Sequence, residues 1–366
     1  MMKFICTLCG HEEDTGTRKS KCDCGGLWEL VYTPPKFSLE DIDRDTWSIF
    51  RYRKFMALPD DTWREITLGE GMTPIIPFQD GVWFKMDYFM PTLSFKDRGA
   101  AVLIAHAKSI GVERVVQDSS GNAGNSVAAY CGRAGIACDI FVPEGTSDKK
   151  IRMIEAHGAI AHIIPGNRDH CADVCRSIAR EKNLYYANHV YNPFFYEGTK
   201  TYIYETYEQL HRIPEHIFIP VGNGTLFLGI IKGLEHLLQS GIISHMPQLY
   251  LVQSEYCQPL LKAMAKKSVQ IHPEKTAATM AEGIAIGLPM RSTEILSYVY
   301  QYHVKGVAIP EEKILAARSQ LARQGIYCEH TTAAVYAGYE SYCQEHGTLS
   351  DVLISMCGAG LKSDHG

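Results

Sequence analysis

The chain has 366 residues, of which 46% are hydrophobic and 21% charged, and a formal net charge of −5 at pH 7. That length exceeds one small core and fits two domains plus an appendage, while the acidic balance offers no basic footprint for nucleic acid or an anionic membrane. No apolar run approaches the ~20 residues that cross a bilayer, and the start, Met1-Met2-Lys3-Phe4-Ile5-Cys6, has no apolar signal-peptide core, so a soluble cytoplasmic protein is expected.

Four of the 12 cysteines open the chain as Cys6-x2-Cys9-Gly10 and Cys22-x-Cys24-Gly25-Gly26. Paired thiols on two short knuckles, with glycines for the tight turns, suit one structural tetrahedral Zn²⁺ with no open position for catalysis. The alternative is an ordinary hairpin with free thiols, and Cys-x-Cys is a tighter knuckle than the common spacing. The other cysteines are scattered, as buried thiols are in a long chain without a signal. Residues 1–33 are read as this zinc-ribbon-like appendage. A linker follows from Thr33, leading into a short aromatic helix around Trp47-Ser48-Ile49-Phe50-Arg51-Tyr52-Arg53.

Beyond it, Val82-Trp83-Phe84-Lys85-Met86 reads as a strand and Ala100 to Ile110 as a helix, with Lys96 at the junction between them. Strand and helix then alternate: strands Arg114 to Val116, Cys138 to Val142, Ile160 to Ile164 and Leu184 to Ala187, and helices Ser126 to Ala134, Asp148 to His157 and Arg168 to Lys182. A second series has helices Glu197 to His211 and Leu226 to Leu238, with strands Ile217 to Pro220 and Leu249 to Val252. Repeated βα units of this length predict parallel sheets covered by helices on both faces, and hence two doubly wound α/β domains. Two junctions are rich in glycine and small polar residues, Asp118-Ser119-Ser120-Gly121-Asn122-Ala123-Gly124-Asn125 and Pro220-Val221-Gly222-Asn223-Gly224-Thr225. At the C-terminal end of a parallel strand, where a helix begins, each is a plausible anion cradle; taken singly, each is equally a connecting loop. Neither has a P-loop lysine or a dinucleotide Gly-x-Gly-x-x-Gly.

Taken with Pro91-Thr92-Leu93-Ser94-Phe95-Lys96-Asp97-Arg98-Gly99, these motifs resemble, in the right order, the threonine synthase branch of the fold type II pyridoxal-phosphate enzymes. Gly69-Glu70-Gly71-Met72-Thr73-Pro74, Asn192-Pro193-Phe194-Phe195-Tyr196-Glu197-Gly198-Thr199-Lys200-Thr201 and Cys357-Gly358-Ala359-Gly360-Leu361-Lys362 extend the resemblance from Cys6 to Lys362. It implies that Lys96 binds pyridoxal 5′-phosphate covalently and shuttles the proton, and that Gly222, Asn223, Gly224 and Thr225 hold the cofactor phosphate. Asn122 would contact the ring and Cys357 face the ring nitrogen, with Ser94, Ser119, Ser120 and Asn125 toward the substrate. The family's domains would fall at 93–189 (small) and at 34–92 with 190–366 (large), in a homodimer.

The expected activity is a lyase on a small amino acid, threonine synthase-like, converting O-phosphohomoserine and water to threonine and phosphate. The departures from the family pattern keep a β-elimination or β-replacement enzyme open: Met90 for asparagine, Leu93 for glycine, Phe195 for arginine, His330 for proline, and Cys357 and Ala359 for threonine and histidine. Ala281-Glu282-Gly283-Ile284-Ala285 is closer to the dehydratases. An inactive relative kept as a binding module is countered by the intact Lys96, and a nucleic-acid adaptor by the acidic balance.

Overall fold

The computed structural model describes residues 2–272 and 276–363, and the chain divides into two compact units. The first comprises Met1–Gly71 and Lys96–Thr199, and the second Met72–Phe95 and Lys200–Asp364. No helix among the described residues is long and apolar enough to cross a membrane.

The first unit opens with a three-stranded antiparallel ribbon, Glu12–Glu13, Lys3–Cys6 and Trp28–Val31 in that order. It docks on the Lys96–Ser109 helix, where the buried His106 ring stacks on Phe194 at 3.8 Å and its Nε2 lies 2.8 Å from the Thr15 carbonyl. Next comes a four-stranded sheet, all parallel, in the order Ile160–Ile164, Ala137–Pro143, Arg114–Gln117, Tyr185–Tyr186. Its central Val115, Val116, Ile140 and Val142 are fully or almost fully buried, as expected of a parallel sheet covered on both faces. Glu70, also fully buried, accepts from Leu68 N at 2.9 Å, Thr67 Oγ1 at 3.0 Å and Tyr130 Oη at 2.8 Å. Burial pushes its carboxyl up to about 7 despite these donors.

The second unit is built on a six-stranded sheet in the order Lys305–Ile309, Gln248–Ser254, His216–Pro220, Val352–Ser355, Val82–Lys85, Ile75–Gln79. Every pair is parallel except the last. The Gly-Glu-Gly-x-Thr-Pro stretch, locally only a turn, feeds a polar cluster under this sheet. Thr73 Oγ1 donates to Asp87 at 2.7 Å and contacts Glu205 Oε1 at 3.1 Å, and Met72 N donates to Glu205 Oε2 at 2.9 Å. Lys85 Nζ bonds Glu205 and the Thr73 carbonyl, and both charged side chains are fully buried.

Removing one partner of such a pair strands the other charge in the core. Glu205→Gln is therefore expected to destabilise the protein by about 3–5 kcal/mol. Replacing both as Lys85→Met with Glu205→Leu should recover much of that loss, because no unpaired charge remains. Urea midpoints of the three proteins check this, and a double variant no better than the single one would mean that the pair's other hydrogen bonds dominate.

Candidate active site

Lys96 is the first residue of the Lys96–Ser109 helix, four positions earlier than the apolar pattern suggests. Its neighbours explain the early start. Asp97 and Arg98 are fully buried, with Asp97 accepting from Ser126 Oγ, so polar residues that read as loop are held inside by packing. Gly99, one turn on, carries the Phe195 ring against its backbone, and a Cβ there would lie 2.4 Å from that ring. Phe195 is fully buried; Lys96 Nζ stands 5.8 Å from its centroid, and the His189 ring meets it edge-on at 5.7 Å.

The 118–125 loop leaves the Arg114–Gln117 strand beside the end of Tyr185–Tyr186. Asp118 is fixed by Tyr186 Oη at 2.7 Å and Asn188 Nδ2 at 2.8 Å. The Asn122–Ala134 helix starts at Gly121, which puts no side-chain cap on the positive end of its dipole. Gly124 is required there, because a Cβ would sit 1.7 Å from the Ser119 carbonyl oxygen. Ser119 and Asn125 are buried, Ser120 and Asn122 half-buried, and Asn125 Oδ1 has no hydrogen-bond partner among the described residues. Lys96, Ser119, Ser120, Asn122 and Asn125 all belong to the first unit.

The remaining cofactor and substrate candidates belong to the second unit. Gly224 precedes the Thr225–Gln239 helix with φ +75°, again without a side-chain cap, so its peptide takes the left-handed turn that glycine tolerates. A Cβ on Gly224 would come within 2.5 Å of Ile295 Cδ1, and one on Gly222 within 3.0 Å of the Gly283 oxygen. Cys357 follows the Val352–Ser355 strand; its Sγ lies 3.2 Å from Thr332 Oγ1 and 3.8 Å from Glu329 Oε1. Burial, reinforced by the Glu329 charge, pushes its thiol well above the usual range, so it is an S–H group. Ser94 bridges to Gly358, and Phe95 N donates to the Cys357 carbonyl at 2.9 Å, which brings Ser94 and Cys357 onto adjoining backbone. Sequence reasoning missed His189, Thr332 and the role of Glu329. Only the position of His189 just ahead of Asn192-Pro193 hints at it.

In the ribbon, Cys6, Cys9, Cys22 and Cys24 place their sulfurs within 4.8 Å of one another. The closest approaches are 3.4 Å for Cys6 to Cys24, 3.4 Å for Cys9 to Cys24 and 3.7 Å for Cys9 to Cys22.

A family profile described as "Pyridoxal-phosphate dependent enzyme" matches residues 66–358. The chain belongs to this family. Within the pyridoxal-phosphate enzymes it falls in the threonine synthase-like branch of fold type II, and it is a pyridoxal-phosphate-dependent lyase. It is 32% identical to the threonine synthase of Methanocaldococcus jannaschii, over 98% of this chain and 92% of that one. With the threonine synthase of Methanosarcina acetivorans it shares 31% identity over 92% and 86%. Among solved structures, the processed threonine deaminase isoform 2 of Solanum lycopersicum superposes with TM-score 0.72 at 20% identity, over 92% of this chain and 93% of that one. Maize serine racemase gives 0.70 at 18%, over 83% and 94%.

The residues present fit the pyridoxal-phosphate family's cofactor. The helix start behind Gly224, without a side-chain cap, offers backbone N–H groups to a phosphate, and a neutral Cys357 thiol can meet a ring nitrogen without a charge clash. Asn125 Oδ1, buried without a partner among the described residues, is the kind of atom that a bound ligand satisfies.

Proposed function

We propose that this lyase acts on O-phosphohomoserine and water to give threonine and phosphate, with Lys96 as the residue that carries the cofactor. The observation that carries this reading is the similarity to threonine synthases, which spans nearly the whole of both chains. Gly222, Asn223, Gly224 and Thr225 would hold the cofactor phosphate with backbone N–H groups. Asn122 would contact the ring, and the Cys357 thiol would give the ring nitrogen a weak hydrogen bond. When bound, the cofactor supplies an electron sink for cleavage at Cα. Lys96 Nζ takes the Cα proton and returns it, and the start of the Asn122–Ala134 helix, with Ser119, Ser120 and Asn125, receives the substrate carboxylate. Ser94 lines the substrate side. A structural Zn²⁺ on Cys6, Cys9, Cys22 and Cys24, and a homodimer, complete the proposal.

A second reading, β-elimination or β-replacement on a smaller substrate, is favoured by Phe195. It stands where the family pattern has arginine, and its ring lies near Lys96. A dianionic phosphate without a guanidinium forgoes a charge-assisted bond worth about 1.5–3 kcal/mol. Phosphate and keto-acid release from O-phosphohomoserine, O-phosphoserine, serine and threonine separates the two readings. Phe195→Arg is expected to raise kcat/KM on O-phosphohomoserine by about tenfold or more, with Phe195→Leu as a control that keeps the site apolar. If the wild type is already efficient on that substrate and the arginine adds nothing, Phe195 lies outside the phosphate site and the elimination reading loses its support.

A further inference from the structure

His189 lies at the C-terminal edge of the four-stranded sheet, three residues beyond the Tyr185–Tyr186 strand. The sheet pairs Val116 with Tyr186, so the chain leaving that strand runs beside the loop that begins at Asp118. Asn188 ties the two together: its Nδ2 donates to Asp118 at 2.8 Å, and its Oδ1 accepts from Val190 N at 2.8 Å. This turn holds His189 with only 6% of its surface exposed, and its Nδ1 has no hydrogen-bond partner among the described residues. Leaving a buried polar atom unsatisfied is costly, so such an atom in a folded protein calls for an explanation. Asn125 Oδ1, in the first turn of the helix following the neighbouring strand, is a second such atom at this edge.

The His189 ring itself is uncharged. Burial, reinforced by the positive charges of Lys96 and Arg168, holds its pKa well below the usual histidine range, so the ring is neutral. A neutral imidazole offers one N–H and one bare nitrogen, which suits a hydroxyl that can both donate and accept. A carboxylate is better served by the uncapped start of the Asn122–Ala134 helix. Phe195 links His189 to the reacting centre: the ring has Lys96 Nζ 5.8 Å and the His189 ring 5.7 Å from its centroid, so His189 borders the same ring as the residue that moves the Cα proton.

We propose that His189 Nδ1 is the subsite for a hydroxyl on the substrate's Cβ, and so a specificity-determining residue. The inference rests on the lyase reading above. In the synthase reaction this hydroxyl is the one threonine carries away; in an elimination it is the one serine or threonine brings in.

L-Threonine and L-2-aminobutyrate differ only in that hydroxyl, and rapid-mixing absorbance amplitudes on the cofactor-loaded enzyme, taken before turnover, give an affinity for each. The wild type should prefer threonine by about tenfold, the worth of one buried hydrogen bond. His189→Phe should erase that preference while binding 2-aminobutyrate as before. His189→Asn, which keeps a polar atom near the Nδ1 position and guards against a folding failure of the first variant, should keep most of the preference. A wild type with no preference, a preference that survives in His189→Phe, or equal weakening of both ligands would overturn the proposal. Failure of the synthase reading would appear separately, as no phosphate release from O-phosphohomoserine, and leaves this ligand pair readable.

Discussion

Lys96→Ala should leave a folded protein that no longer forms the pyridoxyl adduct trapped by borohydride, with turnover lower by at least 10²–10⁴-fold, roughly the share of a positioned proton carrier alone. Retention of the fold follows from where the residue sits. Lys96 is half-buried at the first position of its helix, where alanine is a good helix former, and the buried contacts of that turn come from Asp97, Arg98 and Gly99 instead. Circular dichroism should therefore be unchanged while the adduct disappears. Peptide mapping of the reduced wild type is the direct measurement, because other lysines are also well buried. Lys85 is committed to Glu205, and Lys362 Nζ bonds the Thr92 carbonyl. An adduct on either of these, or on Lys200, would remove Lys96 from the role.

The candidate site is legible in the sequence only where local chemistry and a family pattern coincide. Strand Ile160–Ile164 matches its reading, and the Arg168–Glu181 helix starts where expected, at the Asn167 cap whose side chain accepts from His170 N at 2.9 Å. The single helix expected from Glu197 to His211 is two, Phe194–Thr199 and Thr201–Leu210. Gly198 shows the packing behind this: a Cβ there would lie 1.9 Å from the Arg98 carbonyl oxygen, so tertiary approach governs that turn as much as periodicity. The strand Lys305–Ile309 escaped notice because it is the edge of its sheet and buries only Val307 and Ile309, too few for a clear pattern. Beyond its position just ahead of Asn192-Pro193, His189 gives no signal in the sequence, since what sets it apart is a partner absent among the described residues, and that is a property of the fold. The resemblance points to Cys357, but the proximity of Thr332 and Glu329, 25 and 28 residues away in sequence, arises only in the fold.

The zinc proposal has the other large expected effect. A Zn–S bond of about 2.3 Å in a tetrahedron sets the sulfurs about 3.8 Å apart, and the closest thiol pairs here lie at 3.4, 3.4 and 3.7 Å. Besides the sulfurs, the ribbon is held by a small set of contacts: Glu12–Glu13 is a two-residue strand, the buried apolar side chains among its strands are Phe4, Cys6 and Trp28, and Phe4 meets the His106 and Phe194 rings. Gly26 is packed so closely that a Cβ would lie 2.3 Å from Cys6 Sγ, so the knuckle is shaped around the sulfurs. Metal analysis should find about one zinc per chain, and Cys6→Ser with Cys22→Ser should remove it. Structural zinc contributes about 10–16 kcal/mol in small zinc domains, far more than this short ribbon can replace, so metal loss should unfold residues 1–33. Limited proteolysis should then cut within that segment, while the parallel sheet of the same unit, whose buried Val115, Val116, Ile140 and Val142 do not depend on it, stays protected. Zinc retained at one per chain after both serine substitutions, or a ribbon equally resistant to protease without metal, would show that the four thiols are not what holds this segment.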